Sequence, residues 1–323
     1  MGIRRKVFVT RRVPQTGVQL LEEAGCDVTF WDSDEAIPRE ELIVRISGVH
    51  GLFCMLTDII DGEVLDAAGG SLQVVATMSV GYEHIDLDAC RERDIRVCNT
   101  PNVSTDSVAE LTVALLLLTA RRLLEGVQAV KDGQWGKWKP MWLCGMEMAQ
   151  KTVGILGLGR IGYGVARRLK PFGVKRILYH DVCRVGYAAD IGASFVEFDK
   201  LLSESDLICI CCNLTPQTKH KFNKSAFKQM KKNAILVNSG RGGVIQHNDL
   251  LEALVAGDIA AAGLDVTEPE PLPADHPLVH HPNCIVLPHM GSNTWDSRIN
   301  MSETTAKNIL SIFHNENAMG FVQ

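Results

Sequence analysis

No long hydrophobic run occurs in this sequence. Its longest apolar stretches, such as Val113 to Leu118, are far too short to span a bilayer. The N-terminus, MGIRRKVFVT, is basic, but the apolar run behind it is strand-like and too short for a secretion signal. Lys6 stands where a myristoylation site after Gly2 wants Ser or Thr. Gly320 to Gln323 match no lipidation or peroxisomal signal. Cys26, Cys54, Cys90, Cys98, Cys144, Cys183 and Cys284 are scattered, with no C-x-x-C pair among them, and neither a zinc site nor a disulfide scaffold is suggested. Cys209, Cys211 and Cys212 read as small residues of a strand. Charge of one sign is not in large excess: the net −5 argues against nucleic acid or anionic membrane as the main partner. A soluble cytoplasmic protein with reduced thiols is expected, and 323 residues suit two domains of ordinary size.

The most informative stretch runs from Lys151 to Asp181. A short apolar run, Thr152 to Leu156, has the character of a buried parallel strand. Gly157, Gly159 and Gly162 follow in the spacing G-x-G-x-x-G, with Arg160 and Ile161 between them. A helical segment ends at Pro171 and Gly173, and a second strand from Arg176 to Tyr179 leads to Asp181. The three glycines suit a tight turn, an approach of pyrophosphate to the main chain, and close packing of helix on strand. The helix N-terminus offers free N–H groups to phosphate, and a carboxylate at the second strand tip suits ribose hydroxyls. Strand, glycines, helix, strand and acid in one unit predict a dinucleotide site.

Ahead of this unit, strands and helices alternate as in a small doubly wound α/β domain without a glycine fingerprint. Its loops Leu56-Thr57-Asp58 and Ser79-Val80-Gly81 follow strands, where ligands of open α/β sheets bind. Thr105 to Arg122 reads as one long helix, apolar enough to be buried between domains or at an interface. Lys131 to Gly145 holds Trp135, Trp138 and Trp142, three of the five tryptophans, and reads as a subunit contact. Beyond Asp181 the alternation resumes. A C-terminal amphipathic helix, Thr294 to His314, is expected to return the chain to the first domain. The domains expected are residues 1–105 plus 293–323, binding substrate, and residues 106–292, binding dinucleotide, with the ligand cleft between them.

Three polar residues follow strands of the second domain: Arg241 after ILVNSG, Glu270 after GLDVTEP and His289 after CIVLP. Arg241 offers a forked cation for a carboxylate, His289 a proton exchangeable near neutral pH, and Glu270 a carboxylate to orient the imidazole and favour its charged form. With a nicotinamide these suffice to interconvert a 2-keto and a 2-hydroxy acid. His276, His280 and His281 are close in sequence, but Pro277 and Pro282 are expected to break the helix that paired ligands need, and no metal is expected.

ILGLGRIG, LVNSGRGGVI, AAGLDVTEPEPL and LPHMGS, in that order and spacing, resemble the D-2-hydroxyacid dehydrogenase family over nearly the whole chain. The resemblance implies a Rossmann-type cofactor domain inserted in a flavodoxin-like substrate domain, usually in a homodimer. It implies that Arg241, Glu270 and His289 are catalytic and that backbone around Val80 and Gly81 holds the substrate carboxylate. It places Leu214, Thr215 and Pro216 beside the adenosine, and Asp265 and Gly291 near the nicotinamide. VFVTRRVP, WDSDEAIP, MSVGYEHID, WKPMWLCG and RRLKPFGVKRILY resemble the animal glyoxylate/hydroxypyruvate reductase branch. That branch uses the WKPMWLCG segment in its dimer contact, which would carry Trp142 into the partner's active site.

One departure concerns the cofactor. The branch generally prefers NADPH, with small or basic residues at the second strand tip. Here His180-Asp181 stands at that tip, and a carboxylate repels a 2′-phosphate. NAD(H) is favoured, with Arg184 able to bind the phosphate only if Asp181 turns away. A second class of function, a dinucleotide-sensing module that binds proteins, follows from resemblance to C-terminal-binding-protein co-repressors. The complete triad and short termini favour the enzyme.

Overall fold

The computed structural model describes residues 4–322. It divides into two compact units: one runs to Ser104 and resumes at Asn293, the other spans Thr105–Ser292.

The first unit opens with β1 (Lys6–Val9), α1 (Gln15–Glu23), β2 (Asp27–Phe30), α2 (Arg39–Arg45) and β3 (Gly51–Cys54). It continues with α3 (Gly62–Ala67), β4 (Val74–Thr77), α4 (Leu87–Glu92) and β5 (Arg96–Cys98). The strands are parallel in the order β2-β1-β3-β4-β5, the flavodoxin-like winding. The residues of β3 and β4 are all buried and, apart from Thr77, carry no polar side-chain oxygen or nitrogen, as expected where helices cover both faces. The sequence reading passed over α4, which has few apolar positions. Its start is set by Asp86, whose side chain accepts the Ala89 N–H.

The second unit opens with α5 (Thr105–Ala120), α6 (Leu123–Lys131), β6 (Thr152–Leu156), α7 (Arg160–Leu169), β7 (Arg176–His180) and β8 (Ala193–Phe195). Then come α8 (Phe198–Glu204), β9 (Leu207–Ile210), α9 (Lys224–Gln229) and β10 (Ile235–Asn238). α10 (His247–Ala256), β11 (Ala261–Leu264), α11 (Pro277–His280) and β12 (Cys284–Val286) complete it. The parallel order is β12-β11-β10-β9-β6-β7-β8. Winding reverses between β6 and β9, and the loops leaving these two strands flank the switch point of a dinucleotide fold.

The structure differs from the sequence expectation in two places here, the end of the helix at Arg122 and the role of Pro277. The helix expected to run to Arg122 stops at Ala120. Arg122 is left-handed at φ +56, and α6 then occupies part of the segment expected to be irregular. α5 packs on α7, β10 and β11 of its own unit. A Cβ on Gly263 of β11 would stand 2.6 Å from Thr119 Oγ1. Pro277 starts a short helical turn instead of breaking one, because a proline at the first helical position gives up an N–H that has no partner there.

Residues 293–322 rejoin the first unit through α12 (Trp295–Phe313), which packs on α1 and on β3, β4 and β5. No helix among the described residues is long and apolar enough to cross a membrane.

Candidate active site

The turn after β6 is built for close approach. Gly157 has φ +88, and a Cβ there would stand 2.8 Å from the backbone of Cys212, which follows β9. A Cβ on Gly162 would stand 2.1 Å from the Gly157 carbonyl oxygen, so helix and turn touch without a side chain between them. Gly159 is different: a Cβ there meets nothing within 4 Å. It occupies the N-cap of α7 with no side-chain capping bond, and Arg160 and Ile161 begin the helix. Open space therefore faces the positive end of α7, as an incoming phosphate requires. The turn is braced by side chains. Asp181 Oδ2 accepts the Leu158 N–H at 2.8 Å, and Asp181 Oδ1 accepts the Val182 N–H at 2.7 Å. Tyr187 donates its hydroxyl to the Leu158 carbonyl at 2.7 Å, so both polar groups of Leu158 are held. Leu214, Thr215 and Pro216 lie beyond β9 in a compact turn, where the Thr215 N–H donates to Thr218 Oγ1 at 2.7 Å. These residues fit a dinucleotide.

Arg241, Glu270 and His289 lie in the loops leaving β10, β11 and β12, adjacent strands of one sheet. His289 Nδ1 forms a short hydrogen bond with Glu270 Oε1. Burial pushes the Glu270 carboxyl up, but the bond and charge of His289, the Thr267 N–H and the Arg241 charge outweigh it and hold the group below the usual carboxylate range. The Arg241 loop is tied by buried Asn238, whose Nδ2 donates to the Arg241 carbonyl at 2.9 Å while its Oδ1 accepts the Gly240 N–H at 3.0 Å. His289 takes the left-handed region at φ +53, a conformation costing a non-glycine residue about 1–2 kcal/mol. Buried Asp265 holds it there. The Asp265 carbonyl accepts the His289 N–H at 2.9 Å, and its carboxylate accepts the N–H groups of Met290 (2.7 Å) and Gly291 (2.9 Å). Burial raises the Asp265 carboxyl, and those N–H groups with the His289 charge offset this in part.

In the first unit, the loop after β4 is fixed by its carbonyls. Asn99 Nδ2 donates to the Val80 carbonyl at 2.7 Å, and Ser79 Oγ donates to that of Gly81 at 2.5 Å. A trans peptide points its N–H opposite to its carbonyl, so the Gly81 N–H is turned away from Asn99. Val80 and Gly81 are both partly exposed. Asn238, Thr267 and Tyr187 were absent from the sequence reading. A polar side chain whose task is to hold a loop has no spacing signature.

Among the described residues no cluster of three or more His, Cys, Asp or Glu could hold a metal. A glycine turn at a switch point and an Arg–Glu–His set on the same sheet define a nicotinamide-dependent oxidoreductase. The profile of the D-isomer specific 2-hydroxyacid dehydrogenase, NAD binding domain, matches residues 113–291, and the chain belongs to that family. It is 53% identical to the Homo sapiens glyoxylate reductase/hydroxypyruvate reductase over 308 residues, 95% of this chain and 94% of the relative. A crystal structure of a Thermus thermophilus protein superposes with a TM-score of 0.93 at 40% identity, covering 98% of this chain and 100% of the other. The NADPH-dependent glyoxylate/hydroxypyruvate reductase of Sinorhizobium meliloti, in complex with NADP and malonate, gives a TM-score of 0.86 at 29% identity, with 99% and 97% covered.

Proposed function

We propose that the protein reduces glyoxylate to glycolate and hydroxypyruvate to D-glycerate. The observation that carries this reading is the Glu270–His289 hydrogen bond with the Arg241 charge beside it, on the sheet that bears the glycine turn. A bound reduced nicotinamide supplies hydride to C2 of the keto acid. Arg241 binds the substrate carboxylate and polarises the C2 carbonyl. His289 donates a proton from Nε2 to the carbonyl oxygen and is left neutral, while Glu270 keeps Nδ1 as the hydrogen-bonded nitrogen. The amides of Val80 and Gly81 bind the substrate carboxylate, and Asp265 and Gly291 support the nicotinamide side.

Preference for NADH over NADPH belongs to the same proposal. Both Asp181 oxygens are anchored by N–H groups, which keeps the carboxylate at the strand tip. The Arg184 guanidinium lies over the Phe195 ring at 4.7 Å instead of waiting for a phosphate. Ten unpaired thiols support a reducing, cytoplasmic setting. Homodimerisation through α6 and residues 131–145 is supported by apolar exposure there, with Trp138 at 83% and Met141 at 84%.

The test is oxidation of NADH and NADPH with glyoxylate, hydroxypyruvate and pyruvate, beside Arg241→Ala. Turnover of the first two acids, faster with NADH and reduced at least ~100-fold in the variant, is expected. Cofactor binding without turnover would instead favour a dinucleotide-gated binding module.

A further inference from the structure

The loop carrying Glu270 is held at its base by a buried histidine. His247 is the first residue of α10 and only 5% exposed. Its ring lies between two backbone groups: Nδ1 is 3.2 Å from the Ile245 carbonyl oxygen, and Nε2 accepts the Glu268 N–H at 3.4 Å. A carbonyl needs a donor and an N–H needs an acceptor. Both bonds exist together only in the neutral imidazole with its proton on Nδ1. A second proton would set Nε2–H against the Glu268 N–H.

Little slack separates this contact from the carboxylate. A Cβ on Gly242 would stand 2.0 Å from the Thr267 backbone, so the Arg241 and Glu270 loops touch main chain to main chain. Thr267 donates its N–H to Glu270 Oε2 at 3.4 Å and its hydroxyl to the Pro269 carbonyl at 2.8 Å. The backbone at 267–268 thus fixes where the Glu270 carboxylate sits, and His247 fixes that backbone.

We propose that His247 is a positioning residue for Glu270, acting through the backbone of residues 267–270. The inference rests on the reading of Glu270 as the partner of His289 in the reaction. It also makes the site sensitive to acid. The charged or titratable groups facing His247 are Glu268, His220 and His276, and His220 Nε2 is paired with Glu268 Oε2 at 3.0 Å. Burial pushes the His247 imidazole below the ordinary histidine value, His276 and His220 push the same way, and the Ile245 carbonyl and Glu268 oppose them. Lowered in this way, the ring is neutral at neutral pH and takes its proton only in more acidic solution, releasing the loop.

The experiment compares His247→Ala, His247→Gln and Glu270→Gln with the unaltered enzyme, reading kcat and the KM values for hydroxypyruvate and for the cofactor from about pH 5 to about pH 8. The alanine variant is expected to lose about tenfold in kcat, with KM for the cofactor unchanged. The glutamine variant keeps an acceptor and a donor but does not titrate. It is expected to retain kcat near pH 8 and to lose the acid-side fall that the unaltered enzyme shows. His220→Asn, which leaves His247 in place, is expected to keep that fall. Full kcat in the alanine variant, or the same acid limb in the glutamine variant, would overturn the inference. Should the alanine variant not fold, the glutamine profile alone decides. Undiminished kcat in Glu270→Gln would overturn the reading of the site itself, and the inference with it.

Discussion

Asp181 shows how one side chain serves two ends. Its carboxylate accepts the Leu158 and Val182 N–H groups and so shapes the glycine turn, and in the proposed function its charge also faces the adenosine ribose. A like charge brought against it costs several kcal/mol. Asp181→Ser is expected to lower kcat/KM with NADH, because the turn loosens, and to raise kcat/KM with NADPH. The ratio of the two efficiencies should move by about a hundredfold toward NADPH. An unchanged ratio in paired steady-state assays would remove Asp181 from cofactor choice. At this scale the glycines, Arg241, Glu270 and His289 were legible because each has a side-chain chemistry, or a lack of side chain, that local sequence exposes. Asn238 and His247 were not: each acts by meeting backbone groups, Asn238 in the loop that follows it and His247 in a loop 21 residues on, and neither contact has a spacing signature.

At the scale of elements, packing distance decides matters that propensity would decide otherwise. Gly17 lies within α1, where alanine is ordinarily better by about 1 kcal/mol. Yet a Cβ there would stand 2.2 Å from Ser302 Oγ and 2.6 Å from the Ser302 carbonyl oxygen on α12. Ser302 is itself held by a 2.9 Å bond to the Pro14 carbonyl, so it has little room to yield. Overpacking of this kind costs about 1–3 kcal/mol and outweighs the helical gain. Gly17→Ala is therefore expected to lower the denaturation midpoint of the first unit; a higher midpoint would show that the two helices can part freely. Strands were legible as elements because continuous apolar runs mark burial on both faces. α4 and the split between α5 and α6 were not. The first has too few apolar positions, and the second turns on the left-handed Arg122, whose guanidinium pairs with Glu125 at 2.7 Å.

For the whole molecule, exposed apolar side chains gather where a partner would cover them. Val127 and Val130 on α6, with Trp135, Trp138 and Met141 beyond it, are all more than half exposed. Val127→Glu combined with Trp138→Glu is expected to convert a dimer to a monomer in sedimentation velocity; a monomeric unaltered protein would sink the proposal at once. Trp142 is half-buried, with Lys139 Nζ 5.8 Å from its ring centre. If it reaches a partner's site, Trp142→Ala should admit bulkier 2-keto acids, and an unaltered substrate profile would count against that.

The sequence by itself determined the two parallel α/β units, the dinucleotide turn and the three side chains proposed for the chemistry. Each is written locally, in apolar runs, glycine spacing and the residue that follows a strand. Only the tertiary structure decided how those side chains are held. The left-handed His289 leaning on Asp265, the Glu270 loop resting on His247 and Gly242, and the seat of α12 on Gly17 join segments far apart in the chain. Such contacts depend on distances of a few tenths of an ångström between distant backbones, and no local pattern encodes these.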